Sequence, residues 1–470
     1  MRQNGRQFHE SVARRKLKWQ DFYYNSRISS DMQYCNKSLF YIFFSQYYPK
    51  GGNTMEFLTD GIMALTWQQL VMYAVGITLI WLAIKKGFEP ALLLPMGFGA
   101  ILVNLPFSGV VNQTLTGGIQ ANGVIEWMFH VGIEASEVMP ILLFIGIGAM
   151  IDFGPLLSGP SLFLFGAGAQ FGIFAAILVA ALLGFRLTDA ASIGIIGAAD
   201  GPTSILVSQV LGSRYIGAIA VAAYSYMALV PIVQPFAIRL VTTKKERCIH
   251  MDYNPKSVSK TIRIAFPIAV TMIVGLVAPQ SVALVGFLMF GNLIRECGVL
   301  GTMSDTAQNI LANLITLLLG ITISFSMRAD QFVTKDTLLI LVIGLFAFVM
   351  DTIGGVLLAK FMNLFLKKKI NPMIGGAGIS AFPMSSRVIQ KMAMEEDPTN
   401  VILMQAAGAN VSGQIASVIA GGMVINLAAS CNQANTVMAA LTIMGKGMAG
   451  IFAAILIILL LVWILRKVSR

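Results

Sequence analysis

From Gln69 to Leu465 the chain alternates between apolar runs and short polar caps, and many runs approach the ~20 residues a helix needs to cross ~30 Å of hydrocarbon. The clearest is IFAAILIILLLVWIL, Ile451 to Leu465. The pattern predicts about eleven membrane-spanning helices. Two apolar stretches differ in carrying glycine and proline in their middle: IGAADGPTSILVSQV, Ile196 to Val210, and NPMIGGAGISAFPMSSR, Asn371 to Arg387. Backbone released from a helix at membrane depth is tolerated only where it lines a cavity or is buried in protein. Residues 189–211 and 371–391 are therefore expected to be broken or re-entrant segments, the first with its break at 196–204. Residues 1–54 have another texture. MRQNGRQFHESVARRKLKWQDFYYNSR is basic and aromatic, without a signal-peptide core or small-residue cleavage site, and reads as a disordered appendage or the product of an upstream start. From Met55 an interfacial MEFLTDGIMALTW leads into the first span.

Charge fixes the orientation. Basic clusters at Lys85-Lys86, Lys244-Lys245-Arg247, Lys367 to Lys369 and Arg466-Lys467-Arg470 all belong on the cytoplasmic side by positive-inside logic. They reach it together only if both interrupted segments enter and leave by one face. This places residues 1–54 outside, where their positive charge is disfavoured. The interrupted segments also resemble each other: IGAADGPTSILVSQVL lies beside IGGAGISAFPMSSRVIQ, and GIGAMIDFGPL beside MFGNLIRECGVL. A weak internal repeat results, Glu137 to Thr243 and Gln280 to Gln390, with one break entering from each face. The expected organisation is 55–136 (N-terminal spans), 137–250 (first repeat), 251–279 (connecting span), 280–391 (second repeat) and 392–470 (C-terminal spans). The fold class expected is an all-α polytopic membrane protein with the inverted-repeat, elevator-like architecture of ion-coupled transporters.

Composition agrees. Of 470 residues, 56% are hydrophobic and only 12% charged, about half the charge of a soluble chain. The net charge of +11 resides in short caps rather than on one face, which excludes a nucleic-acid surface. Cys35, Cys248, Cys297 and Cys431 show no C-x-x-C pair and read as free thiols. No Walker loop, nucleophile elbow or metalloprotease helix is present.

Candidate chemistry gathers at the breaks. A carboxylate at membrane depth is costly unless paired, hydrated or functional, so Asp200 is the first candidate. Asp before Gly-Pro also suits a helix cap, and both readings stand, since a break directs carbonyl oxygens to where a hard cation takes oxygen ligands. The second segment offers Asn371, Ser380, Ser385, Ser386 and Arg387 but no carboxylate. GANVSG then places Asn410 and Ser412 on a small-residue helix. YSYMAL offers the hydroxyls of Tyr224 and Tyr226, as proton relays or interfacial anchors. Arg387 and Lys391, one turn apart, either face an anionic cytoplasmic partner or form a plain basic cap. Asp152 and Asp351 are the other acids near membrane depth.

FEPALLLPMGFGAILVNLP, GIGAMIDFGPLL, AASIGIIGAADGPTSI, GAIAVAAYSYMALVPIVQP, NPMIGGAGISAFPMSSRV and GANVSGQIASVIAGG, in this order, resemble the beta subunits of the sodium-translocating, biotin-dependent decarboxylases of oxaloacetate, glutaconyl-CoA and methylmalonyl-CoA. The resemblance covers the chain from about Met55 onward. It departs at Ala409, where family members usually read Pro. It implies a multi-pass subunit of the bacterial cytoplasmic membrane that removes CO2 from carboxybiotin and exports sodium ion while a proton is taken up. The implied partners are a carboxyltransferase (alpha) subunit, a biotin carrier subunit and a small membrane-anchor (gamma) subunit, within a homo-oligomeric complex embedded in lipid. The family's sodium and proton residues fall on Asp200, Tyr226, Asn371, Gly375, Ser380, Arg387 and Asn410. The resemblance implies catalytic roles for Asp200, Tyr226, Ser380 and Arg387, and a sodium site of Asp200, Asn371, Gly375, Ser380 and Asn410. Carboxybiotin falls to Arg387 and Lys391. No biotin-attachment lysine of the MKM type occurs, so biotin arrives on another polypeptide. The competing reading is a secondary transporter that uses a sodium gradient to move a small organic anion.

Overall fold

The structure, a computed structural model, describes residues 56–468 apart from 88–89, 115–119, 136–137, 252–257 and 432–434. Residues 1–54, read above as an appendage, lie outside the described residues. The chain divides into two compact units, Met1–Ala64 and Leu65–Arg470. In the first, the helix Glu56–Met63 is described. The second contains everything that follows.

The elements that position the site are α1 (Trp67–Trp81), α2 (Pro90–Val103), α3 (Val138–Met150), α4 (Phe171–Leu182), α5 (Leu187–Gly194), α6 (Gly201–Val210), α7 (Ile216–Val241), α8 (Lys260–Val277), α9 (Val282–Cys297), α10 (Ala312–Ile323), α11 (Lys335–Phe365), α12 (Met384–Glu396), α13 (Leu403–Ser430) and α14 (Thr436–Val468). Local chemistry sets their ends. Thr66 and Gln69 form a capping box at the start of α1, with Thr66 N donating to Gln69 Oε1 at 2.8 Å. Thr334 caps α11 through the amide of Thr337 at 3.2 Å.

Among the described residues, seven helices are long and apolar enough to cross a membrane, or up to nine if two bent helix pairs each count as one span. A short antiparallel ribbon, Asn112–Thr114 with Gln120–Asn122, departs from the all-α expectation. Its polar segments are too short to carry a strand period.

α13 is enclosed nearly throughout, while α1 and α14 present large apolar side chains such as Trp67, Trp81, Leu460 and Trp463 to the exterior. That inversion is what lipid as solvent selects. α7 and α4 both pack on α11, and α6 and α12 both pack on α13. Between these two pairs of contacts the chain breaks twice. After α5 a 3-10 turn, Ile195–Ala198, ends at Ala199 in the left-handed region (φ 52°, ψ 42°); Asp200 is then extended (φ −130°, ψ 98°) and α6 begins. A left-handed non-glycine residue costs roughly 1–2 kcal/mol, which the packed surroundings must offset. Pro202 sits in the first turn of α6, where its missing N–H removes no helical bond. The second break contains one helical turn, Met373–Gly376, and irregular backbone to Pro383, from which α12 starts. The breaks touch: Ser380 N donates to the carbonyl of Ala198 at 3.2 Å.

Candidate functional site at the two helix breaks

α13 is the spine of the site. Asn410, Gln414 and Ser417 recur at the spacing that places them along one helical face. Asn410 Nδ2 donates to the carbonyls of Ile379 (2.7 Å) and Ala381 (3.5 Å), and Gln414 Nε2 to that of Ser380. Ser417 Oγ reaches the other break, donating to Asp200 Oδ2 at 3.2 Å. Two glycines let the breaks approach this helix. A Cβ on Gly413 would collide with the carbonyl of Gly378, and one on Gly421 would come 2.6 Å from Thr203 Cγ2.

Asp200 is 4% exposed. Its Oδ2 also accepts from Thr203 Oγ1 at 2.6 Å, and its carbonyl accepts the amide (3.0 Å) and hydroxyl (2.8 Å) of Ser204. The residue therefore stands at the N-cap of α6 while its carboxylate engages two hydroxyls and no basic side chain. Two amide oxygens, Asn410 Oδ1 and Gln414 Oε1, are buried without a protein partner. Both amides spend their nitrogens on the second break, so their oxygens remain free to bind. A buried carboxylate, hydroxyls and unpartnered amide oxygens on one spine form an acceptor-rich set that suits a hard monovalent cation.

Ser380 joins this set. Its Oγ donates to the carbonyl of Gly413 at 3.2 Å and its amide binds the first break. Asn371 does not. Its Nδ2 donates to the carbonyls of Arg247 (2.8 Å) and Ile249 (3.0 Å), and its Oδ1 accepts from Met373 N at 3.1 Å. It clasps the entry of the second break to the chain after α7. Gly375 allows backbone contact with Gly355 of α11. Tyr226 turns away from the break, its hydroxyl donating to the carbonyl of Leu341. Arg387 and Lys391 are exposed on α12 and line a surface groove of about 410 Å³ with Gln390, Met394, Glu395 and Leu403. Asp152 accepts the amide of Gly154 at 2.8 Å and starts a short helix.

Tyr224, left between two roles in the sequence, lies with its ring against Gly201 and its hydroxyl buried without a partner. Thr203, Gln414 and Ser417 were not singled out. Their signal was spacing, one turn after Asp200 and one and two turns after Asn410. Asp351 is fully buried on α11; Oδ1 accepts from Ile173 N at 3.1 Å at the start of α4, and Oδ2, which faces Gly197 of the 3-10 turn, has no partner.

The end of α12, beyond the second break, is held by a polar clasp. Asp397 accepts from the amide (2.9 Å) and hydroxyl (2.7 Å) of Thr399 and pairs with His250 Nε2 at 2.8 Å. The amide of Thr399, then its hydroxyl and His250, hold the Asp397 carboxyl down to about 2. Arg247 pairs with Glu396 at 2.7 Å and Asn400 shares the carbonyls that Asn371 binds.

Residues 68–428 match the family described as the Na+-transporting oxaloacetate decarboxylase beta subunit. The chain is 46% identical over 389 residues to methylmalonyl-CoA decarboxylase subunit beta of Propionigenium modestum, covering 78% of this chain and 97% of the relative. It is 45% identical over 371 residues to glutaconyl-CoA decarboxylase subunit beta of Acidaminococcus fermentans, with 78% and 95% covered. Against the probable oxaloacetate decarboxylase beta chain of Vibrio cholerae the identity is 42% over 428 residues, with 79% and 98% covered.

Proposed function

Since the chain belongs to the family of beta subunits of sodium-transporting decarboxylases, we propose that it decarboxylates carboxybiotin presented by a partner biotin carrier and couples this to sodium export against proton uptake. The observation that carries the reading is the spine of α13, which binds both breaks and joins the buried Asp200 carboxylate to two unpartnered amide oxygens.

In this reading sodium, the cargo, is held by Asp200, Ser380, Asn410 and Gln414, with Thr203 and Ser417 orienting the carboxylate. Decarboxylation breaks the bond between the biotin ring nitrogen and its carboxylate carbon; CO2 leaves and the nitrogen takes a proton. That proton is drawn from the carboxyl of Asp200 after exchange with sodium, with Tyr224, whose buried hydroxyl has no partner and whose ring lies against Gly201, as the relay. The groove between Arg387 and Lys391 receives the carboxylate of the incoming group. Each net charge moved against 100 mV costs about 2.3 kcal/mol, which the chemical step must exceed.

The topology proposed is eleven crossings of the bacterial inner membrane with two re-entrant breaks. It is supported by the seven long helices, the two bent pairs and the shorter apolar helix α2, with the 16-residue α9 taken as the remaining crossing. An elevator-like shift of the block containing both breaks then alternates access. Carboxyltransferase, biotin-carrier and small anchor subunits complete the complex.

The test is sodium uptake into inverted vesicles of the reconstituted complex, with and without avidin. Uptake abolished by avidin supports the reading. Avidin-insensitive movement of sodium with a small organic anion would replace it by the secondary-transporter alternative.

A further inference from the structure

α14 sets a ruler across the bilayer. No charged residue occurs between Lys446 and Arg466, a separation of about twenty residues or ~30 Å of helix, the thickness of the hydrocarbon layer. Lys446 therefore marks the boundary opposite Arg466, although α14 begins ten residues earlier, at Thr436. The turn between α8 and α9 docks at the same level. Ser281 Oγ donates to the carbonyl of Val418 at 2.6 Å, and a Cβ on Gly422 would meet that hydroxyl. Gly422 lies roughly 12 Å of helix below the end of α13 at Ser430. α13 and α14 thus rise past a recessed turn and leave a pocket of about 100 Å³ at headgroup depth.

Three polar side chains line this pocket: Gln280 from the turn, Asn426 from α13 and Lys446 from α14. All three are exposed, and none makes a side-chain hydrogen bond or ion pair among the described residues. Beside them Val277, Met423 and Leu427 supply an apolar wall. Positive-inside logic does not explain a lysine on this side. We propose that this recess binds the phosphate of an anionic phospholipid in the leaflet opposite Arg466. The ammonium and the two amides donate to the phosphate, and the apolar wall packs on the first carbons of an acyl chain. The wall and the depth favour a lipid over free phosphate.

The inference requires only that α14 crosses the bilayer, so its failure leaves the decarboxylation reading untouched. The complex, purified and delipidated, is reconstituted in vesicles of phosphatidylethanolamine with or without phosphatidylglycerol, and retained lipid is read by native mass spectrometry. Phosphatidylglycerol is expected to remain bound to the wild type and to fall about fivefold in Lys446→Met, the effect of losing one cation at an anionic surface. Lys446→Arg should retain it. Gln280→Ala combined with Asn426→Ala keeps the lysine and should give an intermediate loss. The rise in melting temperature on adding phosphatidylglycerol should disappear in the methionine variant. Equal retention by wild type and Lys446→Met overturns the proposal. So does displacement of the lipid by millimolar inorganic phosphate, which assigns the pocket to a free anion, or occupancy by a copurifying small subunit instead of lipid.

Discussion

The two breaks do the same topological job with opposite chemistry. The first concentrates charge: Asp200 follows a left-handed Ala199, and its carboxylate is held by the hydroxyls of Thr203 and Ser417. The second has no carboxylate. It presents backbone carbonyls at Ile379, Ser380 and Ala381, and the amides of Asn410 and Gln414 on α13 hold them. In the membrane interior a single carboxylate suffices to balance one monovalent cation; the other buried carboxyl near the first break, Asp351, accepts from the amide of Ile173 at the start of α4. One break carries the charge and the other the geometry. The comparison therefore predicts that substitutions at the first break act on ion coupling and those at the second on affinity or packing.

The largest effect is expected at Asp200. Asp200→Asn keeps the size and the acceptor for Thr203 but leaves a desolvated sodium without its counter-charge, a loss on the order of 3–5 kcal/mol. Sodium-dependent decarboxylation by the assembled complex should fall below detection while the melting temperature stays near wild type. Asp200→Glu keeps the charge in a crowded break and should leave weak activity. Near-normal pumping by the Asn variant would reduce Asp200 to a helix cap.

Next in size are the glycines that admit the breaks to α13. Gly413→Ala drives a methyl into the backbone of Gly378, which has no rotamer to yield, so about 1–3 kcal/mol of destabilisation is expected. Gly421→Ala meets side-chain atoms rather than backbone, Thr203 Cγ2 at 2.6 Å and Val207 Cγ2 at 3.2 Å, and the cost should be smaller. Thermal unfolding of both variants measures the difference. The reverse order would mean that the first break, not the second, is the more rigidly seated.

Affinity separates the asparagines. Asn410→Ala and Ser380→Ala each remove an oxygen from the proposed sodium site and should raise the sodium concentration for half-maximal decarboxylation about tenfold, equivalent to ~1.4 kcal/mol. Asn371→Ala breaks the clasp on Arg247, Ile249 and Met373 and should cost about 1–3 kcal/mol of stability without moving the sodium dependence. A parallel rise in all three would return Asn371 to the ion site.

Much of this was legible in the sequence because lipid imposes blunt rules. Apolar length revealed the long helices, and Gly-Pro interruptions revealed both breaks. Asp200 stood out because a carboxylate among apolar neighbours has few explanations. What the sequence hid depends on which face of a helix meets which break. Asn371 and Asn410 look alike as residue types, yet one amide grips the loop after α7 and the other the carbonyls beside Asp200. Tyr224 and Tyr226 are two residues apart and point into different interfaces, Gly201 for one and Gly344 for the other. Gln414 and Ser417 sit in a run of small residues whose helix is enclosed on all sides, so no amphipathic pattern marked the functional face.

The smallest effect belongs to the clasp at the end of α12, beyond the second break, and its signature is pH. An ordinary aspartate titrates near 3.9, whereas Asp397 is held at about 2 by Thr399 and His250. A depressed carboxyl contributes stability that is fully present above its unfolded value and is lost as pH falls through its folded value. The difference in melting temperature between wild type and Asp397→Ala should therefore be constant from neutral pH to about 4 and shrink toward zero near pH 2. His250 is exposed and Asp397 half-buried, so salt should also weaken the His250 part of the contact. The first break has its own clasp, in which buried Asp189 pairs with Arg186 at 2.7 Å and accepts from Ser213 Oγ at 2.9 Å, joining the start of α5 to the chain after α6. A difference that stayed constant down to pH 2 would show that the Thr399 and His250 contacts do not hold the end of α12 in place.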